Sequence, residues 1–255
     1  MRKKGFTIAE VLVTMAVVGI IVALTIPTFV DNTKKRTWAN SLSTSVTNLE
    51  TSLKALLMRE NVYSLYDTTM MKNVGNTLNN SSSTSTLNKF SAGLGEVLAI
   101  SKSYQKCENC YTKKIKSISN TEISYFNAAG FEGKNAAVYW FNINKTTNLQ
   151  NAKEQEDIHT YGGNLYELFA ELYIDVNGAK KPNTVGRDIF RFYVGTDGTV
   201  YPYGGPDASI YLTNSTNKTW DSSSAGEYKC LDNNIGSPGY GCTARLIENR
   251  YKMDY

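Results

Sequence analysis

Residues 3–27, "KKGFTIAEVLVTMAVVGIIVALTIP", decide how the rest of the chain is read. Residues 6–26 are a run of 21 with a single charge, Glu10. As a helix the run would extend roughly 31 Å, about the hydrocarbon thickness of a bilayer. Arg2, Lys3 and Lys4 precede it, and the positive-inside bias holds such an end in the cytoplasm, so everything after Pro27 is expected outside. A secretory signal has a shorter apolar core followed by a small-residue cleavage site; here the basic stretch ends at Gly5 and the apolar run starts abruptly at Phe6. A plain anchor has no use for Glu10, because an ionised carboxylate in hydrocarbon is costly unless paired, and such residues usually face protein partners.

The stretch closely resembles the N-terminal motif of type IV pilins and of the pseudopilins of type II secretion systems. Basic leader, Gly-Phe junction, glutamate at fixed spacing and a single apolar run all match, over about a tenth of the chain. The resemblance implies that a prepilin peptidase cuts on the cytoplasmic side, between Gly5 and Phe6, and methylates the new N-terminal Phe6. It also implies that Glu10 is the family's glutamate and that Pro27 matches a proline that often kinks the first helix. A Phe6 ammonium freed by cleavage can then pair with the Glu10 carboxylate of a neighbouring subunit, since in a low-dielectric filament core neither charge tolerates isolation. The implied partners are prepilin peptidase, identical or related pilin subunits in a helical filament, inner-membrane assembly machinery and, before assembly, the cytoplasmic membrane. The implied location is the bacterial inner membrane with an extracytoplasmic head, and then a pilus or a periplasmic pseudopilus. No cofactor is implied.

Beyond Pro27, Trp38, Leu42, Val46, Leu49, Leu53 and Leu56 recur at spacings of three and four among polar residues. That spacing predicts an amphipathic helix to about residue 60, continuing the membrane helix, with Pro27 bending or locally melting it. "NTLNNSSSTSTLN", residues 76–88, reads as a polar loop, and residues 89–104 as a short helix. Residues 136–143, 165–176, 188–195 and 199–204 read as strands, the first half of 165–176 being compatible with helix as well. Asp197-Gly198 supplies a hairpin turn between the last two. The expected fold is α+β: a long N-terminal helix, half transmembrane and half amphipathic, packed on an antiparallel sheet as in pilins. Its divisions are a cytoplasmic leader (1–5), a membrane and filament-core helix (6–27), an amphipathic continuation (28–60) and an extracytoplasmic head (61–255).

Charge excludes some functions. The net charge is +4, and with Arg2, Lys3 and Lys4 set aside 24 basic side chains face 23 acidic ones. A near-neutral body makes no electrostatic case for a dedicated nucleic-acid binder. Lys113, Lys114 and Lys116 beside Tyr111 form one small basic cluster, better read as a solvated face than as a track for phosphates. Tyr139, Trp140, Tyr201 and Tyr203 are read first as packing. His159, the single histidine, has no partner motif, and neither a nucleophile constellation nor a phosphate-binding glycine loop is visible, so the chain is not read as an enzyme.

In an exported head Cys107, Cys110, Cys230 and Cys242 favour structural disulfides. The preferred pairing is Cys107–Cys110 and Cys230–Cys242, with the two crossed pairings left open. The second loop resembles the disulfide-bounded C-terminal region of many pilins. "YIDVNGAKKPNTVGRDIF" groups Asp175, Asn177, Asn183 and Asp188 around a turn. Such oxygens suit calcium, and the resemblance to major pseudopilins points the same way. The spacing matches no EF-hand, however, and Asn-Gly and Pro-Asn are ordinary turn formers, so the turn is preferred and no metal site is assigned. The function expected is a structural subunit of a type IV pilus-like filament serving adhesion, motility or surface contact. The alternatives are a type II secretion pseudopilin, a minor pilin that captures DNA, and a membrane-tethered enzyme.

Overall fold

An unbroken helix, α1 (Ile8–Glu60), opens the computed structural model. The structure describes residues 5, 7–75, 77–79, 81–98, 100–104, 114–123, 128–144, 158–161, 164–178, 180–205, 229–230 and 237–255. The chain divides into two units, residues 1–37 and 38–255.

In the first unit every described residue from Thr7 to Lys34 is exposed, with Ile8 at 81% and Phe29 at 73%. Apolar side chains on all sides of a helix mark a segment made for a medium other than water. Pro27 removes one backbone donor, the one that would have reached the Ala23 carbonyl. The helix nevertheless continues through it, so local melting does not occur.

In the second unit the predicted stripe is buried: Leu42, Val46, Leu49, Leu53 and Leu56 are in the core, and Trp38 packs at its edge. Short elements follow: α2 (Thr69–Lys72), β1 (Thr77–Leu78), α3 (Thr84–Gly95), β2 (Ile100–Tyr104), β3 (Ile115–Lys116), β4 (Glu122–Ile123) and β5 (Ala129–Gly133). The rest are β6 (Val138–Asn144), β7 (Ile158–Tyr161), β8 (Asn164–Asp175), β9 (Ile189–Gly195), β10 (Val200–Pro202) and α4 (Cys242–Glu248). The main sheet is antiparallel in the order β10-β9-β8-β6-β5-β2, with β1 added to β6 and β7 to β8; β3 and β4 form a separate hairpin.

Period-two alternation gives the sheet two buried faces. Tyr139, Phe141 and Ile143 of β6, Leu172 and Ile174 of β8 and Phe190, Phe192 and Val194 of β9 share one core with the α1 leucines. Val138, Trp140, Tyr173 and Ile189 join Ile115 and Val185 in a second core. Asp197-Gly198 closes the β9–β10 hairpin with Gly198 at φ +80°, and a Cβ there would come within 3.2 Å of the Leu53 Cβ. Glycine therefore serves both the turn and the helix that lies over it.

Three boundaries differ from expectation. The polar run 76–88 contains the start of α3, because the Ser83 hydroxyl caps it by accepting the Thr86 N–H at 3.2 Å. The helix expected over 89–104 ends at Gly95, and Ile100–Tyr104 instead pairs with β5. The half of 165–176 that suited helix is strand, paired with β7 and, further on, with β6 and β9.

Candidate functional site

Gly5 lies outside the helix and is exposed. Two residues on, Thr7 caps α1: its hydroxyl accepts the Glu10 N–H at 3.2 Å, while Glu10 Oε2 accepts the Thr7 N–H at 2.8 Å and its hydroxyl at 2.9 Å. This is a reciprocal capping box, which satisfies donors that the first helical turn leaves open. The Thr-x-x-Glu spacing that announces it is present in the sequence, although the carboxylate there was read only as an assembly group. Phe6, the other half of the expected pair, lies outside the described residues. Behind the cap, residues 8–30 carry no charge other than Glu10, and α1 is long and apolar enough to cross a membrane.

Residues 1–26 match the family model described as the prokaryotic N-terminal methylation motif. The chain carries the type IV pilin and pseudopilin signature. No curated protein and no solved structure matches it. The signature is that of pilin- and pseudopilin-type precursors, and it implies processing by prepilin peptidase, assembly with pilin subunits and membrane anchoring before assembly.

In the head that follows the pilin signature, a disulfide joins Cys230 to Cys242 with their Cα atoms 4.8 Å apart. Cys107 and Cys110 lie outside the described residues, as do Tyr111 and Lys113. The chain around Cys230 and Cys242 is held down locally. Thr243 Oγ1 accepts the Arg191 N–H of β9 at 3.0 Å, Arg245 Nη1 donates to the Cys230 carbonyl at 2.6 Å, and a Cβ on Gly204 would strike the Gly241 Cα at 2.6 Å.

Arg191 organises the sheet beneath that segment. Its guanidinium carbon lies 4.1 Å from the Tyr203 ring centre, 4.9 Å from Tyr240 and 5.5 Å from Tyr173, and its Nη2 donates to Glu171 at 2.8 Å. Cation–π contact and a part-buried ion pair reinforce one another here. The sequence reading missed this cluster, whose signal was the tyrosines alternating through the last strands.

The aromatic residues considered as a contact surface are mostly core: Tyr139, Trp140 and Tyr203 are buried, and Tyr201 is half-buried. Of the basic cluster, Lys114 pairs with Glu122 at 3.2 Å and Lys116 donates to Asn120 at 2.8 Å. His159 falls in β7.

The turn between β8 and β9 brings Asp175, Asn177, Asn183 and Asp188 together. Asp175 Oδ1 accepts the N–H groups of Asn177 (3.0 Å) and Gly178 (2.9 Å). Asp188 accepts Asn183 N–H (2.8 Å), Thr184 N–H (2.6 Å) and Asn177 Nδ2 (3.0 Å). Both aspartates are fully buried. Burial and the neighbouring Asp188 carboxylate hold Asp175 well above the usual carboxylate range, and burial pushes Asp188 up to about 6 against the pull of its amide donors.

Proposed function

We propose that this protein is a structural subunit of a type IV pilus-like filament, cut between Gly5 and Phe6, N-methylated on Phe6 and polymerised through its N-terminal helix. Adhesion, motility or surface contact would then fall to the head. The observation that carries this reading is an apolar half-helix, exposed along its whole length and lying largely within the methylation motif, with one carboxylate near its start. In a monomer such a surface needs lipid, and in a filament it is covered by its copies. The Cys230–Cys242 disulfide supports an oxidising compartment for the head. DNA capture is disfavoured by the partnered Lys114 and Lys116 and by the near-neutral body.

The test is to purify the protein from its own cell envelope, measure the N-terminal residue and mass, and probe filaments sheared from the cell surface with antibody to the head. N-methylated phenylalanine with labelled surface filaments supports a pilus. The same N-terminus with label confined to the periplasm favours a pseudopilus, and an intact Met1 overturns pilin-type maturation.

A further inference from the structure

Just past its apolar half, α1 carries three consecutive basic residues, Lys34, Lys35 and Arg36. Residues 8–30, apolar but for Glu10 and three threonines, measure about 34 Å as helix. That fills the hydrocarbon layer and brings the basic residues to the level of the headgroups. Asp31 is the only acidic residue between Glu10 and Glu50, and its carboxylate lies 3.6 Å from Lys35 Nζ, one turn on. Lys34 and Arg36 are exposed, and among the described residues neither forms an ion pair. Two of the three cations are therefore uncompensated. The positive-inside bias works against basic residues on the exported flank of a span, so a cluster there needs a use other than topology.

We propose that Lys34, Lys35 and Arg36 bind the phosphate headgroups of anionic phospholipids in the exported leaflet of the membrane. Successive helix residues step by about 100° and 1.5 Å, so the three side chains spread over about 200° of the helix circumference within about 3 Å along its axis. A protein packed against a helix meets one side of it. A plane of headgroups meets every side at one depth, which is how these charges are arranged. Long stems let the charged ends reach the phosphates while the methylene groups stay against the apolar boundary. The Arg36 guanidinium, with its planar fork of donors, suits two phosphate oxygens at once.

Maturation makes this ring the only basic flank of the helix. The cut proposed above removes Arg2, Lys3 and Lys4, and leaves one ammonium to set against Glu10 at the cytoplasmic end. Attraction to lipid then acts on the exported side alone, and the processed subunit is held there by its ring of cations.

This rests on the membrane anchoring of α1 and not on filament assembly. Full-length protein in a non-ionic detergent is titrated with phosphatidylglycerol and separately with phosphatidylcholine, bound lipid is counted by native mass spectrometry, and insertion into phosphatidylcholine vesicles is checked by carbonate extraction. Phosphatidylglycerol should bind about tenfold more tightly, with a preference that shrinks as salt is added. The double variant Lys34→Gln/Arg36→Gln should lose about fivefold or more of that affinity, with phosphatidylcholine binding and Tm unchanged. Lys72→Gln/Lys89→Gln removes the same charge from exposed positions of the head and should bind like wild type. Arg2, Lys3 and Lys4 are present in every variant, so they cancel in the comparison. Equal losses in the two double variants would overturn the site, since net charge alone would then explain them. Unchanged lipid affinity in Lys34→Gln/Arg36→Gln, together with a lower yield of sheared filaments, would overturn it in favour of acidic side chains on a neighbouring subunit. A chain that inserts into vesicles without preferring phosphatidylglycerol overturns this inference alone, whereas one that carbonate extracts overturns membrane anchoring as well.

Discussion

Glu10 has two uses that one substitution can separate. As the third residue of a capped helix it accepts the Thr7 N–H, which requires a side-chain oxygen but no charge, so Gln serves the box as well. As a counter-ion for a neighbour's Phe6 ammonium it requires the charge. Glu10→Gln should therefore insert and fold normally yet lower filament yield tenfold or more, since breaking one side of a buried ion pair costs about 3–5 kcal/mol. Thr7→Ala, which removes the cap but keeps the carboxylate, costs about 0.5–2 kcal/mol locally and should assemble far better. Sheared-filament yield against membrane-fraction protein checks both. If Glu10→Gln assembles like wild type while Thr7→Ala does not, Glu10 is a capping residue only.

The two halves of α1 obey different rules, and the difference is measurable. Leu53 is fully buried against the sheet, whereas Leu24 is 72% exposed. Leu53→Ala should destabilise the head by about 2–5 kcal/mol through lost burial and the cavity left behind. Leu24→Ala should leave the unfolding midpoint of the head unchanged; denaturant melts in detergent would show either. This contrast was legible in the sequence because both periodicities are long: one uninterrupted apolar run, then six apolar positions at helical spacing. Strands β6 and β9 were legible for the same reason, and the short β10 through the sharp turn at Asp197-Gly198 that precedes it. Short elements were not. The Ser/Thr run before α3 reads as loop unless Ser83 is recognised as a cap, and Ile100–Tyr104 became a strand only because β5 was there to pair with it. The turn residues Asp175, Asn177, Asn183 and Asp188 could be grouped from spacing, but burial alone distinguishes satisfied oxygens from orphaned ones, and spacing says nothing of burial.

At the scale of the molecule, the chain joins a unit that avoids water to one that has its own core, so the first should be removable. The head draws on α1 only from Trp38 onward, and the exposed large apolar side chains are concentrated between Ile8 and Val30. A fragment of residues 31–255 begins in the polar stretch Asp31-Asn32-Thr33-Lys34 and keeps every buried leucine of the helix. Directed to an oxidising compartment so that Cys230 and Cys242 can pair, it should be soluble and monomeric without detergent. Its Tm should lie within about 4 °C of the full chain's, because a stability change below about 1 kcal/mol moves a domain of this size no further. Size-exclusion chromatography with light scattering and a thermal melt are sufficient. Aggregation of the fragment, or a clearly lower Tm, would mean that residues before Asp31 help to hold the head together, and the apolar half-helix would then be a folding element as well as an anchor.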